Sequence, residues 1–467
     1  MADDNIEPED IKRKYEELRS FFYPKSVAVI GASSNPAKLG HNILKNLVSL
    51  GFPGKVFPIN PKEKEILGLK CYPSVLDVPS EIDLSIIIIP ADKVLGALEQ
   101  CGEKGVKFVV IEAAGFAEMG EYGRELQSKI VEVARKYGIR VLGPNCAGFV
   151  NTYCNLATTF APLPGLRKGT ISIIAQAGIF AAGMLEVYPW GISKLITIGN
   201  KADLDETDFL EFLAEDPETS VIGMYIEGTR DGRRLMRVLR AVSRKKPVVV
   251  LKGGKTAAGS QLTLSHTASL AGDATIWDVA LRQSGALKAD SLEEFFDLLK
   301  FFSMQPPMRG PRLSIISYSG SMGILSVDHA SSLGLELAAY DDNTLEVLKQ
   351  IAFPWTSCFN PLDLSFLVTA EQYQRGVEIL LHNRNVDGII CIVPAMRVKE
   401  VGQAVHEIME AGCVRKPVVF CVPMGDIVIG DVQEVEKLGI PCYFTPERAV
   451  NVLARSLEYS TWLKREG

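Results

Sequence analysis

The chain has 467 residues, 47% of them hydrophobic and 23% charged, with a formal net charge of −6. That length accommodates about three domains of the usual ~150 residues, and a mildly acidic balance with no basic block argues against nucleic acid as a partner. No run of 18 apolar residues occurs, so no membrane span is expected, and nine cysteines without a CxxC pair argue against a metal site and for a reducing, cytoplasmic setting.

The N-terminal stretch "MADDNIEPEDIKRKYEELRSFF" is charged and helical, with none of the apolar core of a signal peptide. "SVAVIGASSNPAKLGHNILKNL" then reads as a buried strand, a Gly/Ser/Pro loop and an amphipathic helix. The strands "KVFPIN", "LSIIIIP", "KFVVIEA" and "IRVLGPN" follow, and their near-continuous apolar character fits parallel strands covered on both faces. The loop after Gly31 lets backbone N–H groups approach a phosphate. It lacks the glycines of GxGxxG, and no ribose-binding acid follows the second strand, which counts against a nicotinamide dehydrogenase. That strand instead ends in "INPKEKE" with Lys62, which favours a phosphorylated ligand such as a 3′-phospho-ADP group. The alternative is a plain strand–helix turn.

A second α/β block starts near Asn151, with strands "GTISIIAQ", "KLITIGN", "VIGMYIEG" and "KPVVVLKGG" and a closing helix "LEEFFDLLKFF". Glu227 ends its third strand, where open α/β sheets place their sites. It is suited to orient a histidine; the alternative is a salt bridge to Arg230 or Arg233. Next comes "KTAAGSQLTLSHTASLAGD", a loop of roughly 20 residues, too long for a mere connection. Its small residues leave the imidazole of His266 accessible, and neutral imidazole is a good nucleophile near pH 7. The proline-rich "SMQPPMRGPR" reads as a linker. The third block repeats the second: "ISIIAQAGIFAAG" matches "LSIISYSGSMGIL", with a spacer about 28 residues longer that carries "FPWTSCFNPLDLSFL". Each glycine turn opens a helix and is able to hold an anion at its N-terminus; each is equally an ordinary structural turn.

From about residue 20 to the C-terminus, "GASSNPAKLG", "GPNCAGFVN", "GNKADLDE", "YIEGTRDGR", "SHTASLAG" and "NPLDL" resemble the α subunit of NDP-forming acyl-CoA synthetases. These are ADP-forming acetate–CoA ligases, relatives of the succinate–CoA ligase α subunit. The resemblance implies an α/β protein with a Rossmann-like CoA-binding domain followed by two flavodoxin-like doubly wound domains. The expected boundaries are an N-terminal helical arm over 1–19, the CoA-binding domain over 20–150, the ligase domain over 151–302, a linker over 303–312 and the second flavodoxin-like domain over 313–467. His266 falls on the family's phosphorylated histidine and Glu227 on the glutamate that hydrogen-bonds it. Gly31, Ser33, Ser34, Lys38, Asn60, Lys62, Pro90, Ala113, Ala114 and Gly115 fall on CoA-binding segments. Gln176, Ala177, Gly178 and Asn200 fall on the phosphate and substrate site. The implied reaction is the reversible conversion of acyl-CoA, ADP and phosphate to acid, CoA and ATP, through acyl phosphate and phosphohistidine.

One departure stands out. The family's Ser-Gln-Ser-Gly turn reads Ala175-Gln176-Ala177-Gly178 here, and the Gly of "HTGSLAG" is Ala268. A hydrogen bond to a charged phosphate is worth about 1.5–3 kcal/mol, so losing a hydroxyl slows a step tenfold or more. The expectation is an active, divergent enzyme; the alternative is a catalytically degenerate CoA-binding or CoA-sensing paralogue. No P-loop and no ATP-grasp domain are found in the sequence. The resemblance therefore implies a separate ATP-grasp β subunit that binds most of the ADP/ATP and Mg, in an α2β2 assembly.

Overall fold

The computed structural model describes residues 8–163, 165–182, 190–267, 272–412 and 415–466. The chain divides into two compact units, Met1–Asp290 and Ser291–Gly467.

The first unit holds two sheets. One has five parallel strands in the spatial order Lys55–Ile59, Ser26–Ile30, Leu84–Ile87, Phe108–Ile111 and Arg140–Leu142. The three central strands are buried along their whole length, which is why they are written mostly in Val, Ile, Leu and Phe without regular alternation. Ser26–Ile30 feeds the strand on one side of it and lies next to Leu84–Ile87 on the other. The winding therefore reverses at its C-terminal end, and such reversals open a crevice.

The second sheet repeats this order with Ile192–Thr197, Lys168–Ala175, Val221–Ile226, Val248–Lys252 and Leu287–Ala289, all parallel. Its edge continues into the antiparallel strands Phe149–Asn151 and Leu156–Ala157. These two short strands lie in a Gly/Asn-rich stretch with no periodic signal. The helix Pro8–Phe22 runs past the expected arm boundary and lays Phe21 and Phe22, both fully buried, against Phe149 and Phe212 at ring separations of 4.5 and 4.2 Å. Burying each such ring contributes about 1.5–3 kcal/mol, so this helix is part of the core.

The second unit has the parallel order Glu336–Leu337, Arg312–Ser317, Gly388–Ile392, Val418–Cys421 and Cys442–Tyr443. This is again the order of the second sheet, so the internal repeat extends to topology. The longer spacer adds the short strand Leu362–Asp363 beside Arg312–Ser317. There the Asn360 amide accepts from Ile315 N at 3.0 Å and donates to the Leu313 and Ala338 carbonyls, standing in for a strand. The helix Leu292–Met304, expected to close the second block, packs in this unit against Pro446–Glu466, with Phe302 edge-on to Tyr459. The proline-rich stretch 303–312 is packed rather than loose. Met308 is fully buried, and Gln305 bonds Gly439 O and Val418 N. Proline stops the helix there without freeing the chain.

Candidate active site

At the C-terminal end of the first sheet, Gly31 has φ +98°, and a Cβ there would lie 2.3 Å from Ile88 O. A Cβ on Gly40 would lie 2.0 Å from Gly31 O. Only glycine permits both approaches, so the first strand, its loop and the next helix close up with backbone N–H groups at the crevice. Asn60 Nδ2 donates to Ala32 O at 2.8 Å and Asn60 Oδ1 accepts from Lys62 N at 2.9 Å, which braces the two loops together. Ser33 Oγ accepts from Asn35 N, and Ser34 N donates to Glu63. Lys38, at the start of helix Leu39–Ser49, and Lys62 are both exposed. Pro90 precedes helix Ala91–Lys104, and Ala113, Ala114 and Gly115 follow strand Phe108–Ile111. All ten residues assigned to CoA by resemblance thus lie on loops at one end of one sheet.

The second sheet has its winding reversal between Lys168–Ala175 and Val221–Ile226, and the residues after these strands interlock. Gln176 Oε1 accepts from Glu227 N at 2.9 Å and Gly228 N at 3.3 Å, while Gln176 N donates to Tyr225 O. Gln176 and Glu227 are both buried, and the Tyr225 hydroxyl donates to Glu227 Oε1 at 3.2 Å. Burial, followed by the nearby Glu227 charge, pushes the Tyr225 hydroxyl up to about 12, so it stays a donor. Arg230 donates to the carbonyls of Ala202 and Asn200, so its guanidinium is not the partner of Glu227. Ala175 is fully buried in the sheet, and Ala177 and Gly178 are half-buried at the turn.

His266 lies in the last turn of a helix, Ala257–Thr267, where a loop was expected. Thr256 Oγ1 accepts from Gly259 N and caps its start. The segment AAGSQLTLSHT has good helix formers but no apolar stripe, so periodicity does not reveal it. The His266 side chain, and Ala268 with the rest of 268–271, lie outside the described residues. The chain resumes at Gly272, and Asp273 caps helix Ala274–Ser284, where a helix start was expected.

The two sheets are joined by the segment after Arg140–Leu142. Asn145 N donates to Ala113 O, Asn200 N donates to Pro144 O, and a Cβ on Gly178 would lie 3.3 Å from that of Ala147. Asn200, assigned to the phosphate site by resemblance, commits its Nδ2 to Glu118 Oε2 at 2.6 Å and Gln127 Oε1 at 3.0 Å. Glu118 also accepts from Gly115 N and Phe116 N. Helix Ala257–Thr267 packs against the turn Ala117–Met119 that carries Glu118.

Sequence reasoning missed Glu118, Tyr225, Lys252 and Glu112. The last two sit at the ends of apolar strands, the same signal that singled out Glu227. Lys252 donates to Glu227 O at 2.8 Å. Glu112 is buried with neither carboxyl oxygen hydrogen-bonded, and burial raises it well above its ordinary range. Among the described residues no cluster of His, Cys, Asp and Glu is gathered to hold a metal ion, and no helix is long and apolar enough to cross a membrane.

Comparison with known proteins gives these folds names. Residues 25–152 match the CoA binding domain, and residues 168–302 match the succinyl-CoA ligase like flavodoxin domain. The chain is 41% identical over 444 residues to the α subunit of acetate–CoA ligase [ADP-forming] II of Pyrococcus furiosus, covering 92% of this chain and 95% of that one. It is 40% identical over 456 residues to acetate–CoA ligase [ADP-forming] II of Archaeoglobus fulgidus, covering 95% of this chain but 67% of that longer one. Among solved structures, a dinucleotide forming acetyl-coenzyme A synthetase 1 of Ca. Korarchaeum cryptofilum, in complex with phosphate and ADP, matches with a TM-score of 0.90 and 36% identity over 96% of this chain and 98% of that one. Two matched domains, one shared architecture and 41% identity along nearly the whole of an α subunit place this chain in the family of ADP-forming acetate–CoA ligases, as a member of its α-subunit type.

Proposed function

We propose that this chain is the α subunit of an ADP-forming acyl-CoA synthetase that converts acyl-CoA, phosphate and ADP reversibly to acid, CoA and ATP. The observation that carries the proposal is the interlocked pair Gln176 and Glu227 at the winding reversal of the second sheet, one strand away from Val248–Lys252, which leads into the helix that bears His266. CoA is held by the loops of Gly31–Lys38, Asn60–Lys62, Pro90 and Ala113–Gly115. The close backbone packing at Gly31 and the exposed Lys38 and Lys62 fit its phosphates. Phosphate attacks the thioester carbonyl, the C–S bond breaks, and CoA leaves as the thiol with acyl phosphate formed. His266 then attacks the phosphorus and releases the acid as a carboxylate. Glu227 orients the imidazole and balances the charge it gains. ADP takes the phosphoryl group in a nucleotide site on a partner.

Relatives named as α subunits are matched almost end to end, over 95% and 98% of their lengths. This supports a separate β subunit, which we assign as an ATP-grasp chain in an α2β2 enzyme, with Mg bound there. The described cysteines are free, in keeping with a reducing cytoplasm. The test is labelling. Wild-type protein with acetyl-CoA and labelled phosphate yields an acid-labile, base-stable phosphoprotein, and His266→Asn abolishes it. An unlabelled wild type, across a panel of acyl-CoA donors and with the β subunit and labelled ATP, favours a CoA-sensing protein instead.

A further inference from the structure

Lys252 is the last residue of strand Val248–Lys252 and pairs in register with Ile226, one residue before Glu227. It is buried, 5% exposed. Its Nζ donates to Glu227 O at 2.8 Å and to Gly253 O, and it lies 5.3 Å from the Trp277 ring centroid. It forms no ion pair among the described residues. The other buried lysine at this edge differs: Lys201 is paired with Glu206 at 3.0 Å while also donating to Gly228 O. A buried ammonium without an ion pair is costly to keep. It is worth keeping where negative charge arrives during the reaction.

Lys252 also stands between the two roots of the His266 segment. Helix Ala257–Thr267 begins five residues after it, and Trp277 lies on helix Ala274–Ser284, just beyond the segment. A phosphoryl group brings about two negative charges beside the Glu227 carboxylate.

We propose that Lys252 is a positioning residue of the phosphohistidine state, holding the Glu227 peptide against helix Ala274–Ser284 and supplying the unpaired positive charge that balances phosphoryl on His266. This rests on the phosphohistidine assigned under the proposed function. The charged groups that act on Lys252 are Glu227 on the adjacent strand end, Lys201 on the turn after Ile192–Thr197, and Lys255 on its own loop. Burial lowers Lys252 to about 8, opposed by Glu227 and assisted by Lys255 and Lys201. The ammonium therefore persists at pH 7 and is lost as the pH rises past about 8.

The test follows His266 phosphorylation by labelled acetyl phosphate in the full chain with its β subunit, from pH 6 to 9.5. The donor carries no thiol, so CoA ionisation does not enter. Label formation on the wild type falls about tenfold from pH 7 to pH 9. Lys252→Arg, which keeps its charge throughout, forms label more slowly at pH 7 but loses this basic limb. Lys252→Met lowers label formation most at pH 7, and the deficit narrows towards pH 9.5, with thermal melting reporting that it folds. A wild type with the limb and Lys252→Arg with the same limb overturns the role of Lys252 and leaves the phosphohistidine standing. A wild type that takes no label from acetyl phosphate, from the panel of acyl-CoA donors with labelled phosphate, or from labelled ATP on the β subunit overturns both.

Discussion

Asn200 Nδ2 donates to Glu118 Oε2 at 2.6 Å, so the turn after one strand of the second sheet is fastened to the loop after one strand of the first. Asn200 is thereby a bridge between the two sheets. Burial works to raise Glu118, but the hydrogen bonds from Asn200, Gly115 and Phe116 outweigh it and hold the carboxyl below its ordinary value. Asn200→Ala removes the bonds to both Glu118 and Gln127. We expect it to destabilise the protein by about 1–3 kcal/mol, read as a lower urea midpoint, and to raise KM for CoA more than it lowers kcat. Because Glu118 is depressed in the fold, its stabilisation is present above its ordinary pKa and fades as the pH falls through the lowered value. The stability deficit of Asn200→Ala therefore shrinks towards pH 3.

Gln176 reaches across the winding reversal and pins the peptide of Glu227. Gln176→Ala leaves two buried N–H donors without an acceptor, at a cost of about 1–3 kcal/mol. Gln176→Glu keeps the acceptor but sets a second carboxylate beside Glu227. Both variants should form phosphohistidine at least tenfold more slowly than wild type in a rapid-quench assay, with Gln176→Glu the better folded of the two by thermal melting.

Tyr225 stacks on Phe180 at 5.0 Å and donates its hydroxyl to Glu227. Tyr225→Phe preserves the stack and removes only the donor. A hydrogen bond to a charged group is worth about 1.5–3 kcal/mol. The expected outcome is a kcat lower by roughly tenfold or more with KM for acyl-CoA little changed, measured under steady-state conditions.

Glu112 follows strand Phe108–Ile111, and its Oε1 lies 2.5 Å from where a Cβ on Gly148 would stand. Burial alone keeps its carboxyl neutral well above the ordinary value of 4.5. The folded protein therefore holds a proton that the unfolded chain has shed. The associated stability is present below pH 4.5 and is lost as the pH rises towards the raised folded value. Glu112→Gln, neutral at every pH, should match wild type in urea at pH 4.5 and exceed it increasingly from pH 5.5 to 8.5. A stability difference that does not change with pH would show Glu112 to be ionised in the fold.

The sheets and the order of the blocks were legible in the sequence because parallel strands buried on both faces are written as unbroken apolar runs, as in "LSIIIIP" and "PVVVLK". The glycine turns were legible because close backbone approach admits no other residue, as at Gly31. Helix Ala257–Thr267 was not legible. Its two leucines, Leu262 and Leu264, are spaced two apart among small and polar residues, so it has no helical periodicity to read, and its helical state follows from capping at Thr256 and from packing on the turn Ala117–Met119. The linker over 303–312 was misleading for the opposite reason: proline marks the end of a helix, whereas the burial of Met308 depends on Ser456 and its neighbours far along the chain.

Sequence alone singled out His266 and Glu227 as candidates, and placed Glu227 at the end of a strand of an α/β sheet, since both depend on local pattern and motif. Only the tertiary structure decided what Glu227 and its neighbours touch. Gln176 and Glu227 are 51 residues apart, Asn200 and Glu118 are 82 apart, and Lys252 meets Glu227 from a neighbouring strand. Hydrogen bonds and buried charges of this kind are set by how strands are ordered in a sheet, and that order is a property of the packed whole.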